Sequence, residues 1–200
     1  MDHRPDDILR LFFGVMLPPD VQQELAALQQ RLAGTDVRVK WVEPENLHVT
    51  LRFLGALPGL VLRDLKLLGH KLAAELAPWE VQLQGLGAFP KLTRPQALWV
   101  AVGPGADPCV HLSKRLNRQL EEAMIVGGDN KPFHPHCTIA RVKQERGVHE
   151  LIALVEQEVG FTATAFRCEA FQLLCSALGP AGPTYEVLGE FHLGGGARPH

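Results

Sequence analysis

The sequence contains the pattern His-x-Thr twice, at matching places in two similar halves. His48-Val49-Thr50 begins about 40 residues after the start of an apolar segment near residue 8, and His136-Cys137-Thr138 follows a similar segment near residue 97 at about the same offset. Repetition of a whole pattern at a constant offset indicates an internal duplication. The chain is therefore restricted to folds in which two related units complete one core.

Each half has the periodicity of a strand–helix–strand–helix–strand unit. In the first half, the dense apolar segment 8–17 predicts a buried strand, and the prolines after it open a helix that stops near Gly34. The apolar stripe of this helix consists of Val21, Leu25, Leu28 and Leu32. We expect further strands at 37–42, 47–54 and 79–86, and a helix after a break at 55–59 that buries Leu65, Leu68, Leu72 and Leu76.

The second half repeats this order. It predicts strands at 97–102, 136–142, 161–176 and 185–193, helices near 107–126 and 148–159, and a loop at 127–135. Loop 89–95 joins the halves and is too short to be a flexible interdomain linker. Helices that alternate with strands, some of them antiparallel neighbours, predict the α+β class and a single domain over residues 1–200.

In each predicted strand, the histidine and the threonine of the motif share one face. Side chains alternate across a strand, so His48 and Thr50 point the same way. His136 and Thr138 share a face for the same reason. The neighbours that point the other way, into a core, are all apolar: Val49, Leu51, Cys137 and Ile139. A pseudo-twofold relation between the halves would bring the two polar faces together across a cleft.

Two imidazoles and two hydroxyls at one cleft suit phosphodiester hydrolysis. A neutral histidine can take a proton from water while a protonated one gives a proton to the leaving oxygen, because the ordinary pKa of histidine is about 6.5. Threonine hydroxyls can donate hydrogen bonds to phosphate oxygens and stabilise developing charge. A single His-x-Thr more often marks a solvated strand face, whereas two copies at matched offsets favour a catalytic site.

Arg52 is a further candidate for phosphate binding. It shares the face of His48 and Thr50 by strand alternation. It could reach a phosphate or be a solvated arginine at the rim of the cleft, and the sequence favours neither.

Composition limits the partners and the cofactors. A net charge of −2 lacks the excess of positive charge that is typical of a general nucleic-acid binder. We therefore expect an RNA partner to be bound locally, at an end or a phosphate. The four cysteines have no CxxC spacing and the pair His134 and His136 has no nearby carboxylate, so we expect neither a metal nor a cofactor. The absence of a signal peptide and of a membrane-length apolar run predicts a cytoplasmic protein.

The residues around both motifs resemble a known family. They are 11–13 (LFF), 41–55 (WVEPENLHVTLRFLG), 87–90 (GAFP), 97–99 (ALW) and 132–141 (PFHPHCTIAR). On these residues the chain resembles the 2H phosphoesterase superfamily, and within it the RNA 2′,3′-cyclic phosphodiesterases historically called 2′-5′ RNA ligases. The resemblance covers nearly the whole chain and implies a bilobal fold around a central cleft, with lobes at roughly 1–90 and 91–200 that could interleave.

The resemblance also implies roles for individual residues. It makes His48 the proton donor, His136 the proton acceptor and Arg141 a phosphate contact. The implied product is a 2′-phosphate, so the proton is delivered to the 3′ oxygen. Strand alternation places Arg141 on the face opposite His136, so a bulge or the end of the strand has to intervene.

Other functions use the same residues. The substrate could instead be a 2′,5′-linked oligonucleotide or a cyclic-phosphate nucleotide such as that of ADP-ribose. A non-catalytic module that binds RNA ends is a third possibility, although binding alone needs no acid–base pair. Lys131 and Gln96 stand where arginine is common in the family, which would loosen contacts to phosphate or RNA. We expect a monomer whose partner is an RNA 2′,3′-cyclic phosphate end or a cyclic nucleotide.

Overall fold

The computed structural model describes residues 3–129, 131–143, 147–179 and 182–194. In these ranges it contains helices α1 (Pro19–Leu32), α2 (Leu62–Ala74), α3 (Ala106–Glu122) and α4 (Val148–Gln157). Its strands are β1 (Ile8–Met16), β2 (Val39–Trp41), β3 (His48–Pro58), β4 (Trp79–Val81), β5 (Leu83–Lys91), β6 (Arg94–Val102), β7 (His136–Val142), β8 (Phe166–Cys168), β9 (Ala170–Gly179) and β10 (Gly182–His192).

One antiparallel sheet forms the centre of the molecule. Its strand order is β10-β9-β1-β3-β7-β6-β5, with β2 beside β7, while β4 and β8 pair separately. The helices cover this sheet, which confirms the predicted α+β class. Within the described ranges, no helix is long and apolar enough to cross a membrane.

The sheet order is symmetrical about the contact between β3 and β7. On either side follow β1 and β6, the first strands of the two predicted units, and then β9 and β5, their last strands. Each first strand therefore pairs with the last strand of the other unit. The strands β4 and β8, at equivalent places in the units, also pair with each other. Because the units exchange strands in this way, we propose that residues 1–200 form one domain with interleaved lobes.

Four sequence predictions of strand boundaries were wrong. Most of the predicted loop 89–95 is strand, because β5 runs to Lys91 and β6 begins at Arg94, and a tight turn joins these two paired strands. The predicted strands 79–86 and 161–176 are each split in two, because β4 and β8 leave the main sheet to form their own ribbon. The strand predicted to end before a break at 55–59 continues to Pro58, through Gly55 at a φ of 80°.

The apolar stripes of the helices are buried as predicted, but α1 and α3 each pack against elements of the other unit. The stripe of α1, consisting of Val21, Leu25, Leu28 and Leu32, is fully buried, and α1 contacts β7 and α4 of the second unit. Conversely, α3 contacts β3 and α2 of the first unit. Leu65, Leu68 and Leu72 are buried on α2, whereas Leu76 lies beyond its end and is partly buried. Helix packing therefore connects the two units, as the exchange of strands does.

Helix α2 packs closely on Phe191, which belongs to a cluster of three buried aromatic rings. Phe191 lies with its ring centroid 5.2 Å from that of Phe171 and 6.1 Å from that of Phe13. A Cβ at Gly69 would lie 2.5 Å from Cζ of Phe191, closer than real contacts allow. All three rings are completely buried, so Phe191 cannot move aside freely.

We expect Gly69→Ala to lower the free energy of unfolding by about 1–3 kcal/mol, because overpacking at Phe191 outweighs the better helix propensity of alanine. Urea denaturation followed by circular dichroism measures the change. The control is Gly34→Ala, where an added Cβ would meet no atom within 4 Å. Equal stability of the two variants would contradict the packing argument.

Candidate active site

The two His-x-Thr motifs meet where the two units join. Strands β3 and β7 pair through one residue pair, Val49 with Cys137, and both side chains are buried. Continuing this antiparallel register by one residue sets His48 opposite Thr138 and, in the other direction, Thr50 opposite His136. All four polar side chains line a single cavity of about 750 Å³. The structure therefore brings together the four residues that the motifs singled out.

Each histidine is held in the same way by the backbone before it. Nδ1 of His48 lies 2.7 Å from the carbonyl oxygen of Asn46, and Nδ1 of His136 lies 2.6 Å from that of His134. A carbonyl can only accept, so Nδ1 carries the hydrogen in both rings. Nε2 is consequently the nitrogen that exchanges protons with a ligand.

The two Nε2 atoms differ in their neighbours. Nε2 of His48 lies 3.0 Å from Oγ1 of Thr50, whose hydroxyl can donate to the neutral ring. Nε2 of His136 has no hydrogen bond to any residue within the described ranges. A neutral His136 can thus accept a proton from water directly, whereas the lone pair of a neutral His48 is already engaged.

Aromatic side chains pack against both rings. His48 lies 5.0 Å from Phe12 and 4.9 Å, edge to face, from Tyr185, measured between ring centroids. His136 lies 5.0 Å from Phe89 and 5.9 Å from Trp99. The sequence analysis missed Tyr185, because its strand, β10, has no counterpart in the duplication. Strand alternation in β1 could have found Phe12.

Burial lowers the pKa of both histidines. For His48 desolvation is the largest cause, the hydrogen bond to the carbonyl of Asn46 acts in the opposite direction, and the charge of His136 lowers the pKa further. For His136 desolvation again dominates, opposed by the carbonyl of His134, and Arg141 lowers the pKa further. Both rings are therefore biased towards the neutral form in the free protein.

A β-bulge brings Arg141 to the cavity. Residues 140 and 138 of β7 pair with consecutive residues of β6, so Ile139 is an extra residue without a partner. The bulge reverses the alternation after Thr138, which is the irregularity that the sequence analysis required. Arg141 lines the cavity and acts electrostatically on His136 and Tyr185, and its side chain makes no hydrogen bond or ion pair with another described residue.

Strand β3 has the equivalent bulge at Leu51, directly after Thr50. Each bulge has its carbonyl oxygen bound by a buried polar side chain of a helix. Nε2 of Gln29 on α1 donates to Ile139 O at 2.9 Å, and Oγ of Ser113 on α3 donates to Leu51 O at 2.8 Å. Both irregularities are thus held by specific hydrogen bonds at equivalent places in the two units.

Arg52 lines the cavity, but its guanidinium is already bound elsewhere. It donates to the carbonyl oxygens of Phe53 at 2.9 Å and Gly127 at 2.7 Å, and lies 3.4 Å from the carboxylate of Asp129. The sequence left open whether Arg52 reaches a phosphate or lies at the rim, and these contacts favour a supporting position at the cavity wall. Arg52 braces the segment after α3.

No three His, Cys, Asp or Glu side chains come together as metal ligands would, among the residues whose placement is described.

Comparison with known proteins gives a consistent result. The profile described as the 2′-5′ RNA ligase superfamily matches residues 17–179. The RNA 2′,3′-cyclic phosphodiesterase of Thermus thermophilus is 37% identical over 197 residues, covering 94% of this chain and 91% of the relative. That of Aeropyrum pernix is 35% identical over 167 residues, covering 83% and 93%.

Solved structures agree on the fold. A crystal structure of a Thermus thermophilus protein has a TM-score of 0.79 and 33% identity, covering 94% of this chain and 99% of that one. The E. coli LigT structure complexed with 3′-AMP has a TM-score of 0.74 at 21% identity, covering the same shares, and supports the fold alone. The extent of the profile match and the identity to these relatives show that the chain belongs to the 2′-5′ RNA ligase superfamily, which confirms the resemblance seen in the sequence.

Proposed function

We propose that this protein is an RNA 2′,3′-cyclic phosphodiesterase that hydrolyses the cyclic phosphate to a 2′-phosphate by acid–base catalysis with His48 and His136, without a metal or another cofactor. The observation that carries the proposal is the pair of imidazoles at one cavity, each with Nδ1 fixed to a carbonyl. Relatives at 35–37% identity that bear this name support the substrate class.

The proposed reaction is a single displacement at phosphorus. Neutral His136 takes a proton from water through Nε2, and the water oxygen forms a bond to phosphorus. The bond from phosphorus to O3′ breaks, and protonated His48 gives its Nε2 proton to that oxygen. The products are a 3′-hydroxyl and a 2′-phosphate, and the two histidines end in exchanged protonation states, which solvent restores.

Thr50 and Thr138 are proposed to bind the non-bridging phosphate oxygens. Each threonine stands opposite the histidine of the other motif, so the two hydroxyls flank the position of the phosphorus. When an anion is bound, protonated His48 no longer needs the hydroxyl of Thr50 as a donor, and that hydroxyl can turn to the phosphate. Hydrogen bonds of this type stabilise the charge that develops in the transition state.

The charge near the two rings supports this division of roles. Arg141 lies five residues after His136, and the equivalent residue after His48 is the uncharged Phe53. The arginine disfavours protonation of His136 and can also bind the phosphate. The general base is therefore assigned to the histidine that its neighbour keeps neutral. Arg52 is already bound to Asp129 and two carbonyl oxygens, and we propose that it holds the wall of the cavity in place instead of binding the phosphate.

All four motif residues come from one chain, so the site is complete in a monomer, the state in which we propose that the protein acts. We also propose a cytoplasmic location, since the four cysteines are free and buried, as is usual in a reducing compartment.

The function is tested with adenosine 2′,3′-cyclic phosphate in the presence of EDTA after exhaustive dialysis. We expect hydrolysis to the 2′-phosphate at an undiminished rate, with the isomer identified by phosphorus NMR. His48→Ala and His136→Ala should each lose about 100-fold or more in kcat/KM, while His149→Ala, at an exposed position outside the cavity, should match the wild type. Activity that depends on added zinc or manganese, or a 3′-phosphate product, would refute the scheme.

The assignment of roles is tested with a p-nitrophenyl phosphodiester. Its leaving group departs as a stabilised anion and needs little help from a general acid. We expect this substrate to restore His48→Ala to within about 10-fold of the wild-type rate, and to leave His136→Ala inactive.

Equal restoration of both variants would contradict distinct roles. Selective restoration of His136→Ala would show that the roles are reversed. Release of p-nitrophenolate, followed by absorbance, gives both rates directly.

The pH dependence follows from the lowered pKa values. The profile of kcat/KM reports the free enzyme, in which burial holds the pKa of both histidines below about 6.5, so its maximum should lie on the acidic side of that value. In the complex, the phosphate anion stabilises protonated His48 and raises its pKa. The alkaline limb of kcat should therefore lie at higher pH than that of kcat/KM.

A steady-state pH series measures both profiles. Arg141→Gln removes the positive charge beside His136, so its pKa rises and the acidic limb of kcat/KM should move to higher pH. Arg63→Gln, on the exposed side of α2, is the matched control and should leave the limb in place. An alkaline limb of kcat/KM well above the ordinary histidine pKa would show that desolvation does not govern His48.

A further inference from the structure

The cavity is not symmetrical about the two motifs. Strands β3 and β7 separate on either side of the pair Val49–Cys137. On the side of β7, β2 fills the space between them by pairing with residues 140–142. Beside β3, the equivalent segment 127–135 forms no strand in its described residues. There the cavity continues to helix α3, as far as Val110, Ser113, Lys114 and Asn117. No residue of α1, the equivalent helix, lines it.

We call this extension the α3 end of the cavity. Its walls are held in place by hydrogen bonds. Ser113 binds the bulge at Leu51, and Asn117 accepts from the backbone N–H of Asp129 at 2.8 Å and donates to its carbonyl at 3.3 Å. Arg52 binds Asp129 from the other side. The α3 end is therefore a built part of the site, continuous with the two histidines.

The charged side chains of the α3 end do not neutralise one another. Arg52 pairs with Asp129, whereas Lys114 and Lys131 make no side-chain hydrogen bond or ion pair with another described residue. Together with Arg141, three cations without an ion-pair partner among the described residues line the cavity, against one such carboxylate, Glu43. Such an excess of positive charge, on a chain with a net charge of −2, favours a ligand with more than one anionic group.

A free nucleoside 2′,3′-cyclic phosphate has only one anionic group. Its cyclic phosphate occupies the histidines, the threonines and Arg141 in the proposed reaction, which leaves Lys114 and Lys131 without an anion. The next phosphate of an RNA substrate lies one nucleotide away, on the 5′ side of the terminal ribose. The cavity volume of about 750 Å³ is in the upper part of the usual range for ligand sites, about 300–1,000 Å³, and leaves space for that phosphate.

We propose that the α3 end is a second phosphate subsite, in which Lys114 and Lys131 bind the phosphate on the 5′ side of the terminal nucleotide. This inference rests on the proposed function and deepens it, because it assigns the residues that recognise an RNA strand beyond its terminal cyclic phosphate. Lysines bind phosphate as point charges without a fixed geometry, so the subsite selects no base.

The test compares three substrates: adenosine 2′,3′-cyclic phosphate, its 5′-phosphorylated form, and the dinucleotide ApA with a 2′,3′-cyclic phosphate end. We expect kcat/KM for the dinucleotide to exceed that for the nucleoside form by about 10-fold, and the excess to shrink as salt is raised. The 5′-phosphorylated form reports whether a terminal phosphomonoester occupies the same subsite as the phosphodiester of a strand.

Lys114→Gln and Lys131→Gln should each reduce the ratio of the dinucleotide to the nucleoside form by about 2- to 5-fold, and the double variant should bring the ratio close to one. The ratio cancels effects on folding and on the chemical step. The matched control is Lys66→Gln on α2, an exposed lysine outside the cavity, which should keep the wild-type ratio. A ratio near one in the wild type, or one that both lysine variants leave unchanged, would overturn the subsite.

Failure of the proposed function gives a different result, namely no hydrolysis of any of the three substrates. Binding then tests the subsite independently. Titration calorimetry with 2′-phosphorylated ApA and with adenosine 2′-phosphate should show a tighter complex for the dinucleotide that depends on both lysines. Equal affinities of the two ligands would refute the subsite without reference to turnover.

Discussion

The arrangement of the site depends on the single residue pair through which β3 and β7 meet. Val49 and Cys137 are apolar and buried, and the motif residues on either side of them point to the opposite face. Because side chains alternate with a period of two, a slip of one residue would bury His48 and expose Val49. The apolar core behind the sheet therefore determines that both histidines face one cavity.

The two bulges show how a regular sheet is adapted for chemistry. An extra residue after each threonine, Leu51 or Ile139, changes which side chains reach the cavity. Gln29 and Ser113, although they lie on different helices, each donate a hydrogen bond to the carbonyl oxygen of one of these extra residues. Helix packing and the position of Arg141 are thereby linked.

Sequence periodicity predicted the helix stripes, the α+β class and the face shared by His48 and Thr50, because these depend on local alternation and burial. It did not predict the exchange of the last strands between the units, since pairing partners leave no local signal. Alternation placed Arg52 on the side of His48 and Thr50, and it lines their cavity, but it gave no sign that its guanidinium binds Asp129 and two carbonyl groups. Tyr185 reaches His48 from a strand that neither half of the duplication contains, so no repeat could indicate it.

The two histidines come from duplicated motifs, and only local asymmetry makes their surroundings different. A true twofold would give both histidines the same surroundings and the same pKa, whereas acid–base catalysis needs one ring protonated and the other neutral. Three differences break the equivalence: Arg141 stands where the other unit has Phe53, Thr50 engages Nε2 of His48, and β2 closes one side of the cavity while the other opens to α3. The first lowers the pKa of His136 through the charge of Arg141, and the second occupies the lone pair of a neutral His48. The third gives the cavity a direction, and in the reaction that we propose this direction would present one of the two ester oxygens of a bound strand to His48.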